Sequence, residues 1–424
     1  MTVRWLVGAV AAVALVLAAA PAVVARAPER PSLDGAAAAI LVDAHDGTPI
    51  LEKNPRARRS IASTTKLMTA LLTLERAPFD ALYPASDYRA GPVESRIDLR
   101  PGERMRVRDL FKALMLESAN DAAAALADGV SGSRPAFVAD MNERAAELGL
   151  NDTSYANPIG LDDPLNYSSA RDLSTLARRL LRDRRFAEVV DSPSATLTSG
   201  TRSRTVVSRN DLIATVPAVD GVKTGHTTDA GYVLVGSATG SNGAQVVSVV
   251  LGEPSEAARD SDTLALLRYG LAQYRRAPVL SRDSAVAEVE VAYRDESVPL
   301  VPARSVAVTA RRDQRIVKRI DAPNELHGEI AARTRVGSVA VLRDGKVVRR
   351  VPLLTGAEVP GAGPLRRIAS ALGISLTALV LLVIVSIVAI TGIQIRRRRR
   401  ARSQEARRRA RARAREQREH AGQP

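Results

Sequence analysis

From Ile368 to Ile395 the chain carries no charged residue, and five arginines, Arg396 to Arg400, follow at once. As one helix those 28 positions would extend about 42 Å, more than the ~30 Å of a bilayer's hydrocarbon core. Such a run predicts a membrane-spanning helix over 368–395 that crosses with some tilt. The arginine block sets its direction: basic residues stay on the cytoplasmic side, so 396–424 reads as a basic cytoplasmic tail and everything before the helix as extracytoplasmic. The other end agrees. Arg4, the apolar run Trp5–Ala20 and the small-residue site Ala25-Arg26-Ala27 predict an export signal over 1–27.

The formal net charge of +15 is concentrated in the same place. From Arg396 onward thirteen arginines face three glutamates, a surplus of ten. A basic tail beside an apolar helix is accounted for by membrane topology, and 3% aromatic residues offer little for stacking on bases, so no nucleic-acid partner is expected. The chain has no cysteine, which excludes disulfides, thiolate metal sites and cysteine nucleophiles. Its four histidines (His45, His226, His327, His420) are scattered without ligand spacing, so neither a metal nor a cofactor is expected.

Between the two apolar ends lie two differently patterned regions. Residues 33–276 mix helix and strand: Ala38–Asp43 and Pro49–Glu52 flank Asp46-Gly47 as a hairpin, 62–74 and 107–116 read as helices, and 171–181 is amphipathic. Tyr232–Ser237 and Gln245–Leu251 read as strands joined by a Gly/Ser/Asn turn, and 264–274 as a closing helix. Residues 277–358 alternate valine with charge and read as a small all-β domain, with a hairpin turn at Arg343-Asp344-Gly345-Lys346. A linker, 359–367, leads into the membrane helix.

Three short motifs in the first region carry the chemistry: Ser63-Thr64-Thr65-Lys66, Ser118-Ala119-Asn120 and Lys223-Thr224-Gly225. Their conjunction and order, rather than any one of them, is the signal. Three residues apart on a helix, Ser63 and Lys66 share a face. A serine hydroxyl needs a neighbouring base, and Lys66 can serve only when neutral, which takes about three pKa units, roughly 4 kcal/mol. Burial and a second cation both push that way, and Lys223 is the candidate second charge. Ser118 is placed to relay a proton and Asn120 to hold a substrate amide, while the same two residues also read as caps of a helix over 121–126. Lys223 and Thr224 suit a peptide's terminal carboxylate, Gly225 lets a substrate backbone approach, and the N–H groups of Ser63 and His226 suit an oxyanion hole.

These motifs resemble those of the D-alanyl-D-alanine carboxypeptidases, the low-molecular-mass penicillin-binding proteins. The likeness extends to Ala62–Ala70, Ser118–Ala122, Asn157-Pro158-Ile159-Gly160-Leu161-Asp162, Ser169–Leu173 and Asp220–Thr227, and covers roughly 38–275. It implies an α/β (α+β) fold: a DD-peptidase/β-lactamase-like domain with an antiparallel sheet flanked by helices, then a small all-β domain. It also implies Ser63 as acylated nucleophile, Lys66 as its base, Ser118 and Asn120 as second motif, Lys223 and Thr224 as carboxylate binders, and Arg259 as a further carboxylate contact. The chain departs from the family in its full spanning segment and arginine-rich tail, where members often carry an amphipathic anchor.

The resemblance implies an enzyme that removes the terminal D-alanine of peptidoglycan stem peptides through an acyl-serine and that is acylated by β-lactam antibiotics. The alternatives are a DD-endopeptidase or transpeptidase, a β-lactamase, and a non-catalytic wall-binding scaffold.

Overall fold

The computed structural model describes residues 29–420; the expected export signal lies outside them. The chain divides into two compact units that meet at Tyr274 and Arg275.

The first unit is built on a five-stranded antiparallel sheet. Its strands are β1 (Ala38–Asp43), β2 (Pro49–Lys53), β3 (Val219–Thr227), β4 (Gly231–Thr239) and β5 (Gln245–Glu253), in the order β2-β1-β5-β4-β3. All six residues of β1 are buried, as a strand between two neighbours and covered on both faces must be. Successive side chains point to opposite faces, and the strands divide accordingly. Ile40, Val42, Val233, Val235, Val247 and Val249 belong to one hydrophobic core. Leu41, Leu234, Val246 and Val250 belong to another.

The larger core is closed by α1 (Lys66–Arg76), α2 (Val107–Lys112), α3 (Asn120–Ser131), α4 (Arg134–Glu147), α5 (Ala170–Leu180) and α6 (Arg184–Val190). The smaller is closed by α7 (Glu256–Ala272) through Leu266 and Leu267. The antiparallel sheet flanked by helices is the α+β architecture the resemblance implies. Helix α5 starts one residue before its expected range and is capped by Ser169, whose hydroxyl accepts the Asp172 N–H. Helix α7 starts eight residues before its expected range, because Ser255 caps it through the Ala258 N–H.

The expected helix over 107–116 is not regular. After α2 the backbone widens into a π turn at Ala113–Glu117, and Ser118 follows in the left-handed region at φ 62°. Such π turns recur at functional sites. The capping role expected for Ser118 and Asn120 is overturned here: the residue preceding α3 is Ala119, which makes no side-chain cap, and Asn120 is the first helical residue.

The second unit holds a six-stranded sheet. Its strands are β6 (Ala287–Val291), β7 (Ser297–Pro302), β8 (Ile316–Asp321), β9 (Glu325–Leu326), β10 (Arg335–Arg343) and β11 (Lys346–Thr355), in the order β8-β10-β11-β7-β6-β9. The valine alternation resolves as expected: Val289, Val291, Val339 and Val341 are buried while Glu288 and Glu290 face outward. Arg343 pairs with Lys346 across the Asp344-Gly345 turn.

The charge-free run near the C-terminus is not one helix. It is divided between α8 (Pro364–Ala371) and α9 (Leu376–His420), with Gly373 between them at φ 66°. The helix expected over 368–395 therefore begins at Leu376, and α8 takes up part of the expected linker 359–367. From Leu376 to Ile395 α9 extends about 30 Å, the thickness of the hydrocarbon core without appreciable tilt. This helix is long and apolar enough to cross a membrane.

Candidate active site

Ser63 lies in a single 3₁₀ turn, Ala62–Thr65, that runs straight into α1. The turn brings the Lys66 Nζ to 2.9 Å from the Ser63 Oγ. A second bond fixes the amine: Nζ donates to the Ile159 carbonyl at 2.6 Å. That carbonyl is presented by a tight loop in which the Asn157 Oδ1 accepts the N–H groups of Ile159, Gly160 and Leu161 at 3.2, 2.7 and 3.2 Å. Thr69 on α1 donates to the Pro158 carbonyl at 2.7 Å. Gly160 is at φ 96°, and a Cβ there would stand 2.1 Å from the Ala62 carbonyl oxygen, so only glycine closes the loop this tightly.

Lys66 is fully buried. Burial, first, and the charge of Lys223, second, hold its amine well below the ordinary lysine range, while Glu94 pulls it partly back. The shift is toward the neutral form, the one a lysine base would need. With one N–H given to Ile159, a neutral amine retains a lone pair for the Ser63 hydroxyl.

Strand β3 is the edge of the sheet. Gly225 on it lies against the turn that holds Ser63: a Cβ there would be 2.8 Å from the Ser63 N. An edge strand has one side unpaired within its sheet, and to such a side an extended peptide can add. Lys223 is buried, donates from Nζ to the Thr224 carbonyl at 2.8 Å, and has its pKa lowered to about 7 by burial and by the charges of Arg209 and Arg259, against Glu117. Thr224 is buried beside it. His226 is exposed at the rim, its ring stacked on Tyr232 at 4.0 Å.

Helix α1 packs against α3 and the π turn, which sets Ser118 and Asn120 on elements adjoining Lys66. Ser118 is buried, and its hydroxyl makes no hydrogen bond among the described residues. Asn120 donates from Nδ2 to the Glu94 Oε2 at 2.5 Å. Arg259 is buried on α7 near Lys223, with its guanidinium committed to Glu256 and Asp260, each at 2.8 Å.

The structure thus joins Ser63, Lys66 and Gly225 directly, and couples Lys223, Asn120 and Arg259 to them through charge or one intervening residue. Sequence reasoning overlooked Glu94, Tyr88, Arg209 and the Ile159 carbonyl. Arg209 pairs with Glu117, and both act on Lys223. No local pattern marks these residues, since Tyr88 and Glu94 reach the site from one loop, 85–103, and Ile159 and Arg209 from two others.

Comparison with known proteins fits this geometry. Residues 24–255 match the family model described as D-alanyl-D-alanine carboxypeptidase, and residues 274–361 the one described as penicillin-binding protein 5, C-terminal domain. The D-alanyl-D-alanine carboxypeptidase DacF of Bacillus subtilis is 30% identical over 80% of this chain and 89% of its own length. DacD of Salmonella typhimurium is 31% identical over 81% of this chain and 91% of its own length. The crystal structure of penicillin binding protein 5 from Haemophilus influenzae superposes with a TM-score of 0.56 at 30% identity, over 78% of this chain and 99% of that one. The Streptomyces K15 DD-transpeptidase superposes with a TM-score of 0.55 at 32% identity, over 57% of this chain and 99% of that one. A motif set gathered around a buried lysine, on a fold shared with these relatives, means that the chain belongs to the D-alanyl-D-alanine carboxypeptidase family.

Proposed function

We propose that this chain is a serine-type D-Ala-D-Ala carboxypeptidase that trims the terminal D-alanine from peptidoglycan stem peptides. The observation that carries the reading is the Ser63 Oγ 2.9 Å from the buried amine of Lys66. The neutral amine takes the hydroxyl proton as Oγ attacks the carbonyl carbon of the penultimate residue. The developing oxyanion is received by the N–H groups of Ser63 and His226. As the tetrahedral adduct collapses the C–N bond breaks, and the departing D-alanine amine takes the proton by way of Ser118. Water then attacks the ester and restores Ser63. Lys223 and Thr224 hold the terminal carboxylate, Arg259 contributes positive charge behind them, Gly225 admits the peptide backbone and Asn120 holds its amide.

Penicillins enter the same path and stop at the acyl-serine. The catalytic domain spans 33–276 and the β-rich domain 277–358. The enzyme is exported by its N-terminal signal and tethered by α9, with the arginine-rich tail in the cytoplasm. In support of that tether, α9 matches the hydrocarbon core before its first arginine.

The test is labelling with a fluorescent penicillin, together with D-alanine release from a synthetic pentapeptide. Wild type is expected to do both, and Ser63→Ala neither. Equal labelling of the two would end the assignment.

A further inference from the structure

Glu94, on the loop 85–103, is half-buried beside the second motif. Its Oε2 accepts the Asn120 Nδ2–H at 2.5 Å and the Tyr88 hydroxyl, and its Oε1 accepts the Gly91 N–H at 2.8 Å. The Asn120 N–H donates to the carbonyl of the next loop residue, Ser95, at 2.8 Å. The loop and the first residue of α3 are therefore bound together by main chain and side chain alike.

We propose that Glu94 is a positioning residue: it locks the Asn120 amide with its nitrogen turned inward to the carboxylate and its oxygen left for the N–H of the peptide substrate. The proposal rests on the carboxypeptidase reading above. Its basis is an asymmetry of chemistry. An asparagine amide can turn over and present either a donor or an acceptor, whereas an ionised carboxylate only accepts. Facing Glu94, Asn120 has one orientation available, and Oδ1 is the atom left over. A peptide laid on the edge of β3 offers N–H groups, so the free atom has the polarity that the substrate needs.

Glu94 stays ionised in this setting. Burial on its own would raise its carboxyl, but the donors Tyr88, Asn120 and Gly91 outweigh it and hold the group below the usual glutamate range. Arg134 stands over the Tyr88 ring at 5.8 Å. Lys66 is faced by two charges, Lys223 from β3 and Glu94 from the loop, and Glu94 is the one that favours its protonated form. Removing the Glu94 charge therefore frees Lys66 of its proton at lower pH.

The experiment compares wild type, Glu94→Gln and Glu94→Asp in the full-length chain, by pentapeptide kinetics and penicillin acylation across pH, with a thermal melt of each. In Glu94→Gln the neutral amide can donate as well as accept, so Asn120 is free to turn. The expected result is a loss of about tenfold in kcat/KM and in the acylation rate, with the acid limb displaced to lower pH. Glu94→Asp keeps the charge but falls a methylene short of Asn120: its limb stays where wild type has it while its rate remains low. Wild-type rates with an unmoved limb in Glu94→Gln would overturn the proposal, as would a rate loss accompanied only by a lower melting temperature. A wild type that is acylated by penicillin but releases no D-alanine would overturn the carboxypeptidase reading instead, and the acylation rates of the variants would still decide on Glu94.

Discussion

The β-rich unit buries Ser338 and Thr355 as its polar side chains among the described residues, and both are neutral hydroxyls. The first unit buries charge: Lys66, Lys223, Arg204, Arg259 and Glu103 are each less than one tenth exposed. Taking a charge out of water is unfavourable unless something answers it. Arg204 is answered in full, by Glu103 at 2.9 Å through two nitrogens and by carbonyls of 97, 98 and 202. Among the described residues Lys66 and Lys223 have no carboxylate in ion-pair contact, only neutral acceptors. They are buried near one another, each with a lowered pKa. The contrast is between a buried charge neutralised by an ion-pair partner and two buried amines that are not, where the proton is what yields.

The largest effect that would break this distinction is at Lys66. Replacing it by methionine keeps the volume and removes the buried amine. Acylation by penicillin is expected to fall about 10²–10⁴-fold, while the melting temperature holds or rises, because an uncompensated buried amine is no asset to stability. A lower melting temperature with retained acylation would make Lys66 structural and erase the contrast.

A smaller effect sharpens the other side. Leu353 on β11 is fully buried in the core of the β-rich unit. Leu353→Ala is expected to destabilise that unit by about 2–5 kcal/mol, read as an earlier melting transition, with the penicillin acylation rate of Ser63 unchanged. A proportionate fall in acylation would mean that the second unit shares in the chemistry.

How far the sequence discloses this molecule depends on the range of each interaction. Ser63 and Lys66 were legible because a helical turn brings them together locally. The β1–β2 hairpin was legible from its Asp46-Gly47 turn, and the valine alternation of β6 because period-two burial is written in neighbouring residues. Glu94 was not, because its meeting with Asn120 spans 26 positions and a loop carries no periodicity. Ile159 acts through a carbonyl, which every residue has. The π turn after α2 keeps the same apolar spacing as a regular helix over one turn, so composition does not register it. Hydropathy likewise sees no break at Gly373, since a left-handed glycine is as uncharged as its neighbours.

The account turns on an uncharged amine at Lys66, and the pH dependence of penicillin acylation measures it most directly. Because burial and Lys223 lower its pKa, the base is already free well below the range in which an ordinary lysine, near ~10.4, would lose its proton. The acid limb of the acylation rate is therefore expected to lie well below the ordinary lysine range, and Lys223, with its pKa lowered to about 7, gives up its charge above that pH. An acylation rate that instead climbs tenfold per pH unit through pH 9 and levels only near 10 would show an unperturbed lysine, and would contradict the account at its centre.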